Sequence, residues 1–371
     1  MPHNFRLAYF AHAIRSDWNN GNAHFLRGLL RALGECGHEV SIFEPEDGWS
    51  ISNLRTEPDG DRSLQTFAAI YPELCVRSYS KQTVENRSEL RSPLRSVDFV
   101  ILHEWNPASL AHTLLELRKE LGFRLLFHDT HHRASSSPEQ LRILGIDRFD
   151  GSIVFGQALR DIYRNRFNIE RVWTLHEAAD TSVFRPMRDG AVSDDVVWIG
   201  NWGDDERSKE ICEYLLEPGA ALGGRSFTVY GVRYPHEAVR ALQNAGIRYG
   251  GYLPNLDGPA TYAKAHLTVH IPRQQYVGAM RGIPTIRVFE ALACGIPLVS
   301  APWEDCEHLF RPDDFRMVHS SAEMKRALTE LLADPLAARE QAARGLETVR
   351  ARHTCRHRAE ELTAIFQELV Q

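Results

Sequence analysis

The stretch from Gly282 to Trp303 reads GIPTIRVFEALACGIPLVSAPW and limits what this chain can fold into more than any other. Pro284 stands where a helix can start, because a first turn leaves its N–H groups unpaired and proline has none to lose. Ile286, Phe289 and Leu292 then recur at helical spacing, an apolar stripe to be buried. Cys294-Gly295 ends that helix, the glycine suiting a left-handed cap. Ile296–Val299 is a short apolar run of the kind that forms a buried strand. One carboxylate, Glu290, lies inside this helix-turn-strand unit. Glutamate is rarely fully buried unless paired, so Glu290 is either a solvated helix-face residue or one held for a purpose.

The rest of the chain repeats the alternation. Leu7–Phe10 is a strand, the polar loop HAIRSDWNNGNAH follows, and Phe25, Leu26, Leu29, Leu30 and Leu33 give a helix before the strand Val40–Phe43. That β-loop-α-β order predicts a parallel, doubly wound sheet. No G-x-G-x-x-G follows the first strand, so it is no dinucleotide fingerprint. Residues 46–89 are polar and irregular, with short helices expected at Leu64–Ile70 and Val84–Leu90. Further strands are expected at Val97–Leu102, Arg124–Phe127, Gly151–Phe155 and Val172–Leu175, with a helix at Ser109–Leu121. The pattern restarts after 187–195 with the strand Val196–Ile199, a glycine loop at Gly200–Gly203, a helix over Glu206–Leu216, and the strands Phe227–Tyr230 and Leu267–Ile271. The tail, Ala322–Leu332 and Pro335–Val370, reads as nearly all helix.

A length of 371 residues calls for two domains. With 43% hydrophobic and 25% charged residues the chain is ordinary globular material, and a net charge of -6 argues against a general nucleic-acid or membrane surface. Six scattered cysteines form no CxxC pair, which fits reduced thiols in a cytoplasmic protein. No signal peptide and no membrane span are expected.

RVFEALACGIPLVS resembles the nucleotide-binding signature of group-1 glycosyltransferases of the GT-B fold. The preceding PTIR and the HT-x-x-x-RA at His353-Thr354 to Arg358-Ala359 are most similar to the CgeB-like, spore-maturation-type branch. The stretch from His176 to Pro186 is similar to the one that closes the first domain in that family. The resemblance implies an α/β fold of two Rossmann-like domains. These are an acceptor-side domain over 1–186, a linker over 187–195 and a nucleotide-sugar-binding domain over 196–350. A C-terminal helix, 351–371, packs back on the first domain. It implies a transferase moving a sugar from a nucleotide-diphosphate sugar, its co-substrate, to an acceptor, with no other cofactor. A nucleotide-sugar epimerase of the same fold and a non-catalytic nucleotide-sugar-binding protein are the alternatives. The acceptor, whether glycan, lipid, protein or small molecule, is open, as are the donor's base and sugar.

In that family the residue matching Glu290 binds the donor ribose, and the amides matching Thr285 and Ile286 meet the diphosphate. Helix N-termini favour anions on physical grounds as well. Gly200, Asn201 and Trp202 form a loop that lets backbone approach a phosphate. Arg207 and Lys209 follow, placed to neutralise the departing diphosphate or else to be solvated helix charges. Arg273 and Arg281 flank the signature, and either is a candidate phosphate clamp. The family usually carries a second glutamate eight positions before Glu290, where this chain has Gly282. At the end of a first-domain strand, His128 and Asp129, with His131 nearby, are candidates to orient or deprotonate an acceptor hydroxyl. Asn20, Gly21 and Asn22 form a candidate cleft loop. His128-x-x-His131 with Asp129 can also be read as metal ligands, on weak spacing. The expectation is catalysis without a metal.

Overall fold

The computed structural model describes residues 4–187 and 191–371. The chain divides into two compact units. The first runs to Glu177 and takes in Cys355–Gln371, and the second is Ala178–Thr354. The division thus falls before the segment 187–195, whose Asp194 and Asp195 already belong to a strand; residues 188–190 lie outside the described residues.

In the first unit, β1 (Arg6–Phe10) leads through α1 (Ala23–Glu35) to β2 (Glu39–Pro45). β3 (Val76–Tyr79), β4 (Phe99–His103), β5 (Arg124–Asp129), β6 (Gly151–Val154) and β7 (Val172–Thr174) complete a parallel sheet in the order β3-β2-β1-β4-β5-β6-β7. All five residues of β4 are buried, as expected of a strand covered on both faces. β4 and β5 pair with His103 opposite His128.

The second unit repeats the plan. β8 (Asp194–Ile199), β9 (Phe227–Tyr230), β10 (Ile247–Tyr249), β11 (Ala265–His270), β12 (Leu298–Ser300) and β13 (Arg316–Met317) form a parallel sheet ordered β10-β9-β8-β11-β12-β13. Its core joins Val196, Val229, Leu267 and Val299 to Met324 and Leu328 of the helix Ser321–Ala333. α2 (Ile286–Cys294) ends on Gly295 at φ 67°, the left-handed cap that its sequence calls for. α3 (Pro335–Arg352) and α4 (Cys355–Val370) are two helices, not one. The break comes where Ala179 N–H donates to the His353 carbonyl (3.0 Å) and pairs with Thr354.

α4 belongs to the first unit. Its Phe366 stacks on Phe99 of β4 (ring centroids 4.4 Å) and meets Phe5 edge-on at 5.9 Å. Thr363 of α4 shares a hydrogen bond with His38 (2.8 Å).

The expected helix over Glu206–Leu216 is broken. A 3₁₀ turn at Asp204–Glu206 precedes Ser208–Ile211, a π-helical turn at Cys212–Leu216 and a last turn at Glu217–Ala221. Arg207 leaves the helical region (φ -157°, ψ 16°) as its side chain turns inward. β3, β10 and β13 are strands that the sequence pattern does not reveal, being two to four residues long and of mixed polarity.

Both sheets reverse their strand order once, between β1 and β4 and between β8 and β11. Open parallel sheets bind ligands outside the carboxyl ends of the strands at such a point. Phe366 is fully buried, so Phe366→Ala should cost about 3–5 kcal/mol, read as a lowered urea midpoint of the first unit's transition. A loss under about 1 kcal/mol would contradict the packing of α4.

Candidate active site

The second switch point is built around the start of α2. Thr285 is the N-cap, yet its hydroxyl does not cap the helix. It hydrogen-bonds His270 Nε2 of β11 (3.1 Å), whose Nδ1 pairs with Ser300 Oγ of β12 (2.8 Å). The N-cap side chain therefore leaves the start of α2 uncapped, and a helix N-terminus favours an anion. Burial, then the charge of Arg207, lowers the His270 pKa to about 3, so this imidazole stays neutral.

Glu290 faces inward on the same helix and is 0% exposed. Its Oε1 accepts from Asn255 Nδ2 (2.8 Å) and its Oε2 from Arg287 Nη1. The lone carboxylate of the signature is thus a buried, paired one. Each carboxylate oxygen can accept more than one hydrogen bond. Asn255 Oδ1 is buried beside this pair with no hydrogen-bond partner, an acceptor waiting for a donor. Neither Asn255 nor Arg287 is distinguished by the sequence pattern; Arg287 lies within the signature, and Asn255 is 35 residues from Glu290.

Arg207 is 9% exposed. Its Nη1 donates to the Ile271 carbonyl after β11 (3.2 Å), and its Nη2 to the Asn201 carbonyl after β8. The guanidinium lies 5.2 Å from the Trp198 ring, and its Nε has no hydrogen-bond partner. Gly203 makes room for it. At φ 82°, a Cβ there would stand 2.8 Å from Arg207 Nε. Burial, then the charge of Arg273, lowers the Arg207 pKa to about 10, with Arg287 adding to the effect. Three guanidinium groups therefore feel one another at this point. Arg273 is half-buried and paired with Glu206.

The other predicted donor residues are less central. Lys209 is exposed and stands two residues from Arg207, a spacing that does not share a helix face. Arg281 pairs with Glu304 at the surface (3.4 Å). Gly200 and Asn201 hold the loop after β8: the Gly200 carbonyl accepts from Tyr234 Oη (2.6 Å) and Asn201 Oδ1 from Val232 N–H (2.9 Å). Trp202 packs near Tyr234 with ring centroids 5.8 Å apart. Gly282 sits at φ 88°, and a Cβ there would stand 2.6 Å from Cys306 Sγ. The position lacks the family's second glutamate and is also closed to a side chain.

At the first switch point the structure corrects two expectations. His128 is 1% exposed, with Nδ1 hydrogen-bonded to Tyr9 Oη (2.7 Å) and Phe25 of α1 edge-on at 6.3 Å. Asp129 is fully buried, accepting from Tyr163 Oη (2.7 Å) and the His131 N–H (3.0 Å). These are interior groups, not groups presented to an acceptor. Alternate strand residues face opposite sides of a sheet, and the register turns His128 under α1. Burial lowers the His128 pKa to about 3 and raises that of Asp129.

Half-buried groups here include His12, Gly21, Asn22, His131 and Arg133, with Trp105 44% exposed. Trp105 meets His131 edge-on at 5.0 Å and carries the Arg133 guanidinium 3.9 Å from its ring. Asn20 is buried and donates to the Ala13 carbonyl (3.1 Å), while Asn22 Nδ2 donates to Thr130 Oγ1 (2.7 Å). Glu104 is fully buried against Arg133 Nε (3.1 Å), and burial, then the charge of Asp129, raises its pKa well above the ordinary value. Sequence reasoning missed His12, His103, Glu104, Thr130 and Arg133. The signal was that two expected strands end in HEW and HDTHH. Among the described residues no group of three or more His, Cys, Asp or Glu side chains is arranged to hold a metal ion, and no helix is long and apolar enough to cross a membrane.

The fold is the GT-B fold. The chain is similar to sucrose-phosphate synthase from Thermosynechococcus elongatus, with a TM-score of 0.68 at 15% identity over 99% of both chains. It is similar to HepE from Anabaena in complex with UDP and glucose, with a TM-score of 0.72 at 13% identity over 98% of this chain and 100% of that one. An alpha-glucosyltransferase in complex with UDP and a 13-mer DNA matches with a TM-score of 0.68 at 12% identity, over 98% and 100% of the two chains. Residues 207–364 match the family model described as glycosyl transferase-like. No curated protein sequence matches the chain.

The buried histidines carry a pH prediction. A histidine held neutral to about pH 3 binds fewer protons folded than unfolded between pH 3 and 6.5, so its contribution to stability is intact above 6.5 and is lost on acidification. His128→Gln keeps an acceptor for Tyr9. It should reduce the fall of unfolding free energy between pH 6 and 4 by about 1.4 kcal/mol per pH unit. Urea titrations with an unchanged pH slope would contradict the neutral imidazole.

Proposed function

We propose that this chain transfers a sugar from a nucleotide-diphosphate sugar to an acceptor. The observation that carries the reading is the gathering of Arg207, Arg273 and Arg287 by the uncapped start of α2 at the β8/β11 switch point. Three guanidinium groups and a helix N-terminus suit a diphosphate, and Arg fits phosphate bidentately. Charge on the leaving diphosphate grows as the glycosidic bond breaks, so fixed cations there stabilise the transition state. Arg273 and Arg287 meet the phosphates, while Arg207 straps the two strand ends and adds its field. The first-turn amides of α2, at Thr285 and Ile286, complete the phosphate cradle. Glu290 and Asn255 provide acceptors for the ribose hydroxyls.

HepE and the alpha-glucosyltransferase are both in complex with UDP, which makes UDP the first nucleotide to try. The first unit is the acceptor side, its switch point lined by aromatic and polar groups. A net charge of -6 favours a glycan, lipid, protein or small-molecule acceptor over nucleic acid. The PTIR at Pro284–Arg287 and the His353-Thr354 motif support the CgeB-like branch.

Calorimetry with UDP should show one binding site per chain. Glu290→Ala should weaken that binding about tenfold to a hundredfold, the size of a lost charge-assisted hydrogen bond. Free UDP should be released from a UDP-sugar in the presence of EDTA. A folded Glu290→Ala protein with unchanged affinity, or a donor that is isomerised without UDP release, would overturn the reading.

A further inference from the structure

We propose that the first unit holds a second ligand site, for a phosphorylated sugar, on the open edge of its sheet. β7 ends that sheet and stands three strands from β4, about 14 Å along the sheet from the switch point. A cavity of about 520 Å³ lies where the helix Gln157–Phe167, β7 and α4 meet, all within the first unit. Cavities of that size take small molecules. Arg160, Arg164 and Arg171 bring positive charge to it, and Glu361 and Glu368 of α4 bring negative charge.

The arginines supply the phosphate end of the site. Arg160 and Arg164 stand four residues apart on one helix face, where like charges repel. Arg160 falls in the first turn, where a positive charge opposes the helix dipole, and that turn holds no acidic residue. Other arginines of the first unit are tied down: Arg118 and Arg124 to Asp150, Arg142 to Glu139 and Arg148 to Glu116. Among the described residues Arg160, Arg164 and Arg171 have no such partner, and the buried Nε of Arg160 has no hydrogen-bond acceptor. A buried N–H without an acceptor is unfavourable, so an oxyanion that meets it stabilises the site. Arginine also fits phosphate bidentately.

The rest of the lining suits a hydroxyl-rich ring. Trp173 of β7 is half-buried, and its Nε1 donates to Glu368 Oε2 (3.0 Å). Its ring occupies the space that Gly151 of β6 leaves, since a Cβ there would collide with the six-membered ring. An indole fixed in this way offers an apolar surface to a sugar ring. Glu361 is paired with Arg358 (2.5 Å). Both carboxylates keep the capacity to accept from further hydroxyls, because a carboxylate has about four acceptor positions. Thr174 Oγ1 is buried with no hydrogen-bond partner, a third group for a hydroxyl. Exposed Glu170 also lines the cavity, and the three carboxylates repel a ligand that is anionic throughout. The mixture therefore selects a molecule with one phosphate end and one hydroxyl-rich end over a bare polyanion or a neutral sugar.

The test uses the full chain labelled with 5-fluorotryptophan, its Trp173 signal assigned with Trp173→Phe. Glucose 6-phosphate is the probe, with glucose and inorganic phosphate as separate arms. The Trp173 signal should shift and saturate with glucose 6-phosphate, and either half-molecule should bind about tenfold or more weakly. The double variant Arg160→Ala/Arg164→Ala should weaken glucose 6-phosphate binding about tenfold or more. Arg171→Gln, at an exposed position that does not bear on folding, should weaken it in the same direction. No shift of the Trp173 signal up to about 10 mM, well past saturation of a site with a Kd of about 1 mM, would overturn the proposal. An equal response to inorganic phosphate alone, or unchanged affinity in both variants, would overturn it too. Neither UDP nor turnover enters these measurements. Their failure leaves the sugar-transfer reading standing, and a chain that fails to bind UDP fells that reading and leaves this site standing.

Discussion

The proposed sugar transfer depends on where a parallel sheet reverses its strand order. Neighbouring helices leave in opposite directions at that point and expose the carboxyl ends of two strands, β1 and β4 in the first unit, β8 and β11 in the second. What the two units place there differs. The first places neutral imidazoles, a threonine hydroxyl and a buried carboxyl pair. The second places guanidinium groups and a helix N-terminus. The second set has the chemistry to hold anionic oxygen.

Arg207 shows how the second site is held open. A buried guanidinium is costly unless its N–H groups find acceptors. It finds them in the carbonyls of Asn201 and Ile271, one from each strand at the switch point. The side chain needs the space left by Gly203, and its turn inward breaks the helix that the sequence would otherwise run from Glu206. A local break in secondary structure thus accompanies a fixed positive charge at the place proposed for phosphate.

Much of this was legible in the sequence, and the exceptions share a cause. The start, stop and apolar face of α2 are local features, and the structure has them where the spacing put them. The two parallel sheets followed from the alternation of strands and helices. What the sequence hid lies across distances. His12 and His103 are 91 residues apart, and Arg207 and Ile271 are 64 apart. His128 was visible as a strand-end histidine, but not the face it occupies, because strand register decides that and register comes from neighbours. Short edge strands such as β3 and β13 have too few residues to show a period.

The central claim is that the second unit's switch point is the nucleotide site. Hydrogen exchange read by mass spectrometry, with and without saturating UDP, tests it most directly. The account predicts protection in two segments of the second unit, the loop from Gly200 to Arg207 and the start of α2 from Gly282 to Glu290. Protection that falls elsewhere and spares both segments would contradict it.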